Sequence, residues 1–196
     1  IGIDLGLTHF AILSTGEKIP APNAFRKHEK KLAKLQRRLT KKKKGSKNRA
    51  KARLKVAKLH AKIADIRKDF THKLSTRLIR ENQVIAVETL AVSNMKKNRK
   101  LAKSIGDAGW AEFVRQLEYK ARWYGREVVK IDRWHPSSKR CSDCGHTAEK
   151  MPLKVRHWTC PECGANHDRD INAARNILAA GLAVSACGEA VSPVSR

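Results

Sequence analysis

Apolar residues open the chain in two short runs, Ile1 to Leu5 and Phe10 to Leu13, hinged at Gly6 to Thr8. This is the pattern of two short strands forming a hairpin. Lys18 to Pro20 predicts a brief third strand that Pro20 and Pro22 stop. From Phe25 to Arg80 the period lengthens: Leu59, Ile63, Ile66, Phe70, Leu74 and Leu78 recur at three- and four-residue steps, and Leu32, Leu35 and Leu39 do so more weakly. Such spacing gives a helix one apolar face. Gly45-Ser46 between the two sets reads as a turn, so the segment predicts an antiparallel helical hairpin. Val84 to Val87 is a continuous apolar run ending in Glu88, as expected of a central strand that presents a carboxylate at the sheet's edge. Asn94 to Lys103 is polar and basic, a loop or short helix. Gly109 to Tyr124 predicts a helix with Trp110, Phe113, Val114, Leu117 and Ala121 on one face, and Glu127 to Ile131 a strand after Gly125. Pro, Gly, Ser and Cys break up Trp134 to Asp168, which predicts a small metal-stapled module. Arg169 to Ala183 reads as an Ala-rich helix with Asn172, Arg175 and Asn176 on its polar side, and from Gly188 the tail carries no pattern and is expected to be loose.

Charge changes the picture most. Lys and Arg number 43 against 18 acids, a formal net charge of +25, and the predicted hairpin holds more than half of the cations, including the run Lys41 to Lys44. Self-repulsion of that size is relieved by a polyanion, and nucleic acid is the expected partner ahead of an anionic membrane surface. At 196 residues the chain fits one domain with an insertion. No stretch approaches the roughly 20 apolar residues of a spanning helix, so no membrane is expected as a partner. The start at Ile1 has neither Met nor a signal-like run, and the chain reads as a fragment of a longer protein. Five cysteines, four of them in two C-x-x-C pairs, fit a metal site in a reducing compartment such as the cytoplasm, not a secreted disulfide scaffold.

Cys141-Ser-Asp-Cys144 and Cys160-Pro-Glu-Cys163 are separated by fifteen residues, and each is followed by Gly. A tight knuckle lets both sulfurs of a pair reach one ion, and two knuckles complete a tetrahedron, so the spacing predicts a structural zinc with no open coordination position. His146 and His157 lie close in sequence, but four cysteines already fill the shell. Cys187 stands alone and is expected to be a buried or reduced thiol.

Asp4 sits inside an apolar strand, where an acid costs stability unless something pairs it. Glu88 ends a second strand, and Asp170 begins the helix after the zinc module. Delivered by two strands and a helix start, the three could converge, and convergent carboxylates suit two magnesium ions in phosphodiester hydrolysis. Taken singly, Asp4 could cap a turn, Glu88 could form an ion pair, and Asp170 could be a helix N-cap, with Asp168 as a competitor.

At Ile3-Asp4-Leu5-Gly6, Glu88, Cys141 to Cys163 and His167-Asp168-Arg169-Asp170-Ile171-Asn172-Ala173-Ala174, the sequence resembles the TnpB (OrfB) family of insertion-sequence transposons, relatives of the type V CRISPR effector nucleases. The similarity continues through Asp107-Ala108-Gly109-Trp110, Leu117 to Lys120, Ser137-Ser138-Lys139 and Ala186-Cys187-Gly188. The resemblance implies an α/β, RNase H-like (RuvC-type) fold: a mixed sheet with flanking helices, a long basic helical hairpin insertion and a four-cysteine zinc-ribbon insertion. The expected division is a nuclease core over 1–133 with the hairpin at 25–80, a zinc-finger insertion over 134–168, and a C-terminal helix and tail over 169–196. It further implies that Asp4, Glu88 and Asp170 are catalytic and hold two Mg2+, that Cys141, Cys144, Cys160 and Cys163 hold one Zn2+, and that DNA is cut under the guidance of an RNA. Family members carry a longer N-terminal half that holds the guide, and that half is absent here. Contacts to phosphates are expected from Lys41, Lys42, Lys43, Lys44, Arg49 and Lys51 on the hairpin, and from Lys139 and Arg140, with Arg156, near the finger. Trp134 and Trp158 could stack on bases or pack around the zinc module. The competing readings are a nucleic-acid-binding protein without catalysis, and a transposase performing strand transfer.

Overall fold

The computed structural model describes residues 1–152 and 154–186. The two opening runs form β1 (Gly2–Leu5) and β2 (His9–Leu13), antiparallel with Asp4 opposite Ile12, and β3 (Lys18–Pro20) extends the meander. The basic segment folds as α1 (Ala24–Thr40) and α2 (Lys47–Glu81). β4 (Val84–Glu88) then enters beside β1 and parallel to it, followed by α3 (Val92–Met95), α4 (Ala102–Ala108), α5 (Trp110–Tyr124) and β5 (Glu127–Ile131), parallel to β4. The sheet is therefore mixed, with order β3-β2-β1-β4-β5. A separate pair, β6 (His157–Thr159) and β7 (Asn166–Asp168), leads into α6 (Arg169–Ala186). Cys187 and the tail from Gly188 lie outside the described residues.

Strand parity divides the sheet's two faces. Ile3, Leu5, Ile85 and Val87 point to the main core, where they meet Leu74, Leu78 and Ile79 of α2 and Phe113, Leu117 and Ala121 of α5. Phe10 locks this layer by edge-to-face contacts with Phe70 and Phe113, at 4.9 and 5.1 Å between ring centroids. Gly2, Asp4, Ala86 and Glu88 point the other way, toward α6, where Ala86 and Ile131 pack on Ile177.

Small residues let α6 approach the sheet closely. A Cβ on Gly2 would lie 2.0 Å from the carbonyl oxygen of Ala174, and one on Gly181 would lie 2.4 Å from the Cβ of Ala86. Neither clash can be relieved by a side chain swinging away. Gly2→Ala is therefore expected to lower stability by about 1 to 3 kcal/mol, the usual range for overpacking, and to shift the helix that carries Asp170. Denaturant melting with a circular dichroism readout checks it, and an unchanged midpoint would show that α6 accommodates the methyl.

The hairpin has a core of its own. Ala24, Leu32, Leu59 and Ile63 cluster apart from the sheet, so only the C-terminal half of α2 rests on the main core. At 1.5 Å per residue the 35 residues of α2 span about 50 Å, and the turn end projects away from the sheet. Ser46 caps α2 by accepting the backbone N–H of Arg49, and both carboxylate oxygens of Asp107 accept the N–H of Phe25 at the start of α1. The region Asn94 to Lys103, read from sequence as loop or short helix, contributes turns between α3 and α4, and Ile105 anchors α4 in the core. No helix among the described residues is long and apolar enough to cross a membrane.

Candidate metal centres

Asp4, Glu88 and Asp170 line one cavity of about 630 Å³. The strand register explains the first two. Gly2 pairs with Ala86 and Ile3 with Val87, so the same alignment carried one residue further sets Asp4 beside Glu88 at the C-terminal ends of neighbouring parallel strands, on the α6 face. The third follows from the close approach of α6, because Ala174 lies over Gly2 and Asp170 is one turn nearer the helix start. From sequence alone Asp168 competes with Asp170 for this role. Asp168 instead accepts Lys18 Nζ at 2.6 Å and the backbone N–H groups of Asp170 and Ile171 at 3.1 Å, so it caps α6. Burial would raise its carboxyl, yet Lys18 and those N–H groups hold it below its ordinary range.

Crowding is visible in the protonation of Asp4. Burial, then the charges of Asp170 and Glu88, push it up to about 7, against the opposing pull of Arg169 and Arg156. Burial raises Glu88 as well. Among the described residues neither carboxylate accepts a hydrogen bond from protein, whereas Asp170 is met by Arg156 Nη1 at 3.3 and 3.5 Å. Half-buried acids that repel each other and lack protein donors are suited to hard cations, which take oxygen ligands and retain water. The acids share their cavity at wider spacing than the cysteines, whose sulfurs are the group of donors found within 4.8 Å of one another among the described residues.

The cysteine site is built from two matching knuckles. In each, the N–H of the glycine donates to the carbonyl of the first cysteine: Gly145 to Cys141 at 3.0 Å and Gly164 to Cys160 at 2.9 Å. Both glycines have positive φ, 82° and 72°, which a side chain rarely permits. Sγ atoms of Cys141 and Cys163 are 3.7 Å apart and those of Cys144 and Cys160 3.6 Å apart. Zinc–sulfur bonds of about 2.3 Å imply a tetrahedral edge of about 3.8 Å, so the four sulfurs fit that ion. His146 faces Glu162 and His157 is exposed; the histidine that reaches the site is one sequence reasoning missed. His167 is buried with Nε2 3.1 Å from Cys141 Sγ, placed to donate to that sulfur in the Nε2–H tautomer. The signal was the alternation of Asn166, His167 and Asp168, which turns the middle residue inward.

Two asparagines expected on the polar side of α6 are buried, and they join the two centres. Asn176 Nδ2 donates to the carbonyls of Ser137 and Arg140 at 2.8 and 2.6 Å, Asn172 Nδ2 to Arg140 at 2.7 Å, and Asn172 Oδ1 accepts from Ser142 N–H. Arg169, also unanticipated, donates to the Pro152 carbonyl and Ser138 Oγ. The cysteine module is thus clamped to the helix that carries Asp170.

The expected phosphate contacts divide. Lys41 to Lys44, Lys51 and Arg140 are exposed, and Lys139 lines the acid cavity while donating to the Glu149 carbonyl. Arg49 turns back to the carbonyls of Leu39 and Lys42 and closes the hairpin turn, so its guanidinium is already engaged. Trp158 packs on His167 inside the module, whereas Trp134 is 77% exposed on the cavity rim.

Residues 1–99 match a family model, OrfB_IS605, described as "Probable transposase", and residues 110–177 match one described as "Cas12f1-like, TNB domain". A Streptomyces pristinaespiralis protein named "Putative RNA-guided DNA endonuclease" is 60% identical over 193 residues, 98% of this chain and 48% of that protein. "Putative RNA-guided DNA endonuclease InsQ" of Escherichia coli (strain K12) is 42% identical over 206 residues, 97% of this chain and 51% of that protein. A chain in the solved structure "Cryo-EM structure of the Cas12f1-sgRNA-target DNA complex" superposes with a TM-score of 0.62 at 22% identity, covering 90% of this chain and 48% of that one, a likeness of fold. The chain spans about half the length of the curated relatives it matches.

Proposed function

The chain belongs to the OrfB_IS605 family of probable transposases, and from that premise we propose that it is the catalytic module of an RNA-guided DNA endonuclease. In this reading the mixed sheet is RNase H-like (RuvC-type), the core spans 1–133 with its hairpin, the zinc finger is inserted at 134–168, and α6 with the tail closes the fold. Asp4, Glu88 and Asp170 are the catalytic acids and hold two magnesium ions, and Cys141, Cys144, Cys160 and Cys163 hold one structural zinc. The observation that carries the reading is the shared cavity in which Asp4, pushed up to about 7, faces two further acids.

Bound magnesium would activate water and steady the leaving oxygen of a phosphodiester. The protein's own part is placement. β1 and β4 fix Asp4 and Glu88 side by side, and α6 brings Asp170 across. Arg156 and Arg169 offset the acids' charge and favour an approaching phosphate. Lys139 and Arg140 position the strand through its backbone, without reading sequence.

The projecting hairpin supplies further phosphate contacts. Alanine at Lys41 to Lys44 is expected to flatten the dependence of log affinity on log salt for duplex DNA by up to about 3 to 4, at roughly 0.9 per phosphate contact. Fluorescence anisotropy over a range of salt concentrations measures it, and an unaltered slope would mean the run meets no phosphate.

Guide RNA, DNA and the other half of the longer protein are the proposed partners, and the cytoplasm, at the nucleoid, is the proposed place of action. The decisive experiment incubates the full-length protein, purified with its RNA, with matching and mismatched DNA in magnesium. Cleavage of matched DNA alone supports the proposal. Cleavage indifferent to the match removes the RNA guidance, and strand-joining without hydrolysis makes the protein a transposase.

A further inference from the structure

On the sheet face opposite the acids, α2 and α5 lie side by side. A groove of about 500 Å³ on α2 is lined by His72, Lys73, Thr76, Arg77, Arg80 and Glu81. Lys120 of α5 reaches the same residues from below. Its side chain is buried, and Nζ donates to the His72 carbonyl, Ser75 Oγ and Thr76 Oγ1 at 2.9, 2.7 and 2.8 Å. All three acceptors are neutral, and among the described residues Lys120 has no carboxylate within ion-pair distance. A buried ammonium with only neutral partners leaves a local excess of positive charge, which favours an anion above it.

Aromatic rings stand at the end of this seam. Trp123 is 76% exposed and Tyr124 42%, an unusual degree of exposure for such large rings on a regular helix. Tyr119 braces Trp123 at 4.7 Å between centroids, and the Arg80 guanidinium sits 6.0 Å from the Tyr124 ring. Exposed rings beside guanidinium groups are how single-stranded nucleic acid is held: bases stack on the rings and phosphates meet the cations.

We propose that the α2/α5 seam is a second nucleic-acid-binding surface, separate from the acid cavity, that takes a single-stranded segment of RNA with unpaired bases on Trp123 and Tyr124 and phosphates on Arg80 and Arg77. A duplex keeps its bases stacked internally and offers these rings little, whereas RNA loops and ends present unpaired bases. The choice of RNA over single-stranded DNA rests on the nuclease reading, since a strand held on the far side of the sheet is not the one offered to the acids. Arg77 pairs with Glu17 at 2.9 Å and Lys73 with Asp69 at 2.8 Å, but both pairs are exposed, and such pairs are weak and screened. A phosphate can replace the carboxylate in either.

The test uses full-length protein freed of its RNA, with a labelled single-stranded RNA oligonucleotide containing photoreactive thiouridine, in chelator so that nothing is cleaved. Trp123→Ala combined with Tyr124→Ala, and separately Arg80→Glu, should raise the dissociation constant about tenfold or more, with Trp123→Phe near wild type. All these positions are exposed, and circular dichroism verifies folding. Crosslinks should map to the peptide holding Trp123 and Tyr124. Changes below about twofold in both variants, or crosslinks confined to other segments, overturn the proposal. Loss of affinity for single-stranded DNA with RNA binding unchanged also overturns it. Asp4→Ala should bind the RNA as wild type does, so failure of the nuclease reading, seen in cleavage, is distinguishable from failure here.

Discussion

Asp4→Asn is expected to abolish magnesium-dependent cleavage and, in metal-free buffer, to make the protein more stable at neutral and higher pH. The first effect follows from removing a charge that the proposed function assigns to metal binding. A ligated cation contributes several kcal/mol of transition-state stabilisation, and 4 kcal/mol is about a thousandfold in rate. Binding of DNA in chelator should change little, because phosphate contacts come from cations elsewhere.

The second effect is a linkage argument. Asp4 ionises near 3.8 when unfolded and at about 7 when folded, raised by burial and by Asp170 and Glu88. Between those values the folded chain keeps a proton that the unfolded chain has released. Stability from this group is therefore fully present below about pH 4 and is lost as pH rises through 7, a swing of roughly 4 kcal/mol. Asparagine has no such dependence. Melting curves in chelator should coincide for the two proteins near pH 4, diverge as pH rises toward 7 and stay apart above it, with the variant higher by about 10 °C. On the proposed reading magnesium should then raise the wild type selectively, because a ligand of the folded carboxylates alone stabilises the folded chain. Parallel pH profiles would mean that Asp4 is neither crowded nor poised for a cation, and cleavage by the variant would remove it from the catalytic set.

What the sequence could reveal of this site depended on how far each signal reached along the chain. Local periodicity was enough for β1, β2, β4, α2 and α5, because each has a continuous apolar pattern, and the knuckles could be read from Cys and Gly spacing alone. Strand order was not legible, since nothing local says that β4 enters beside β1; that placement puts Glu88 next to Asp4. The seating of α6 depends on Gly2 and Gly181 meeting Ala174 and Ala86, contacts between residues more than 90 positions apart. Asn172 and Asn176 looked like solvent-facing residues because the carbonyls that bury them come from Ser137 and Arg140, over thirty positions away. Arg49 had the charge expected of a phosphate ligand, and only the turn geometry shows its use on Leu39 and Lys42.

Removing zinc should unfold the module while leaving the sheet intact. None of the three apolar clusters among the described residues includes a side chain from the module, residues 134–168. With no share in those clusters, that segment is expected to depend on the proposed metal–sulfur bonds, and structural zinc supplies about 10 to 16 kcal/mol in zinc-finger peptides. Cys160→Ser breaks one of the two buried corners of the tetrahedron. Zinc content should fall from about one ion per chain toward none, and amides of the module should exchange rapidly with solvent while those of β1 and β4 stay protected. Damage then spreads to the acids by a defined route. Asn172, Asn176 and Arg169 lose their carbonyl partners, each unsatisfied buried group costing about 1 to 3 kcal/mol, and the cavity loses its Arg156 and Lys139 wall. Cleavage should disappear in the variant, although no sulfur touches the substrate, and added magnesium should not restore it. In wild type unfolded in chelator and reductant to remove zinc and then refolded, added zinc should restore both exchange protection and cleavage. Protection of the module unchanged in Cys160→Ser would show that the knuckles hold without metal, and the link from zinc to the acids would fail with it.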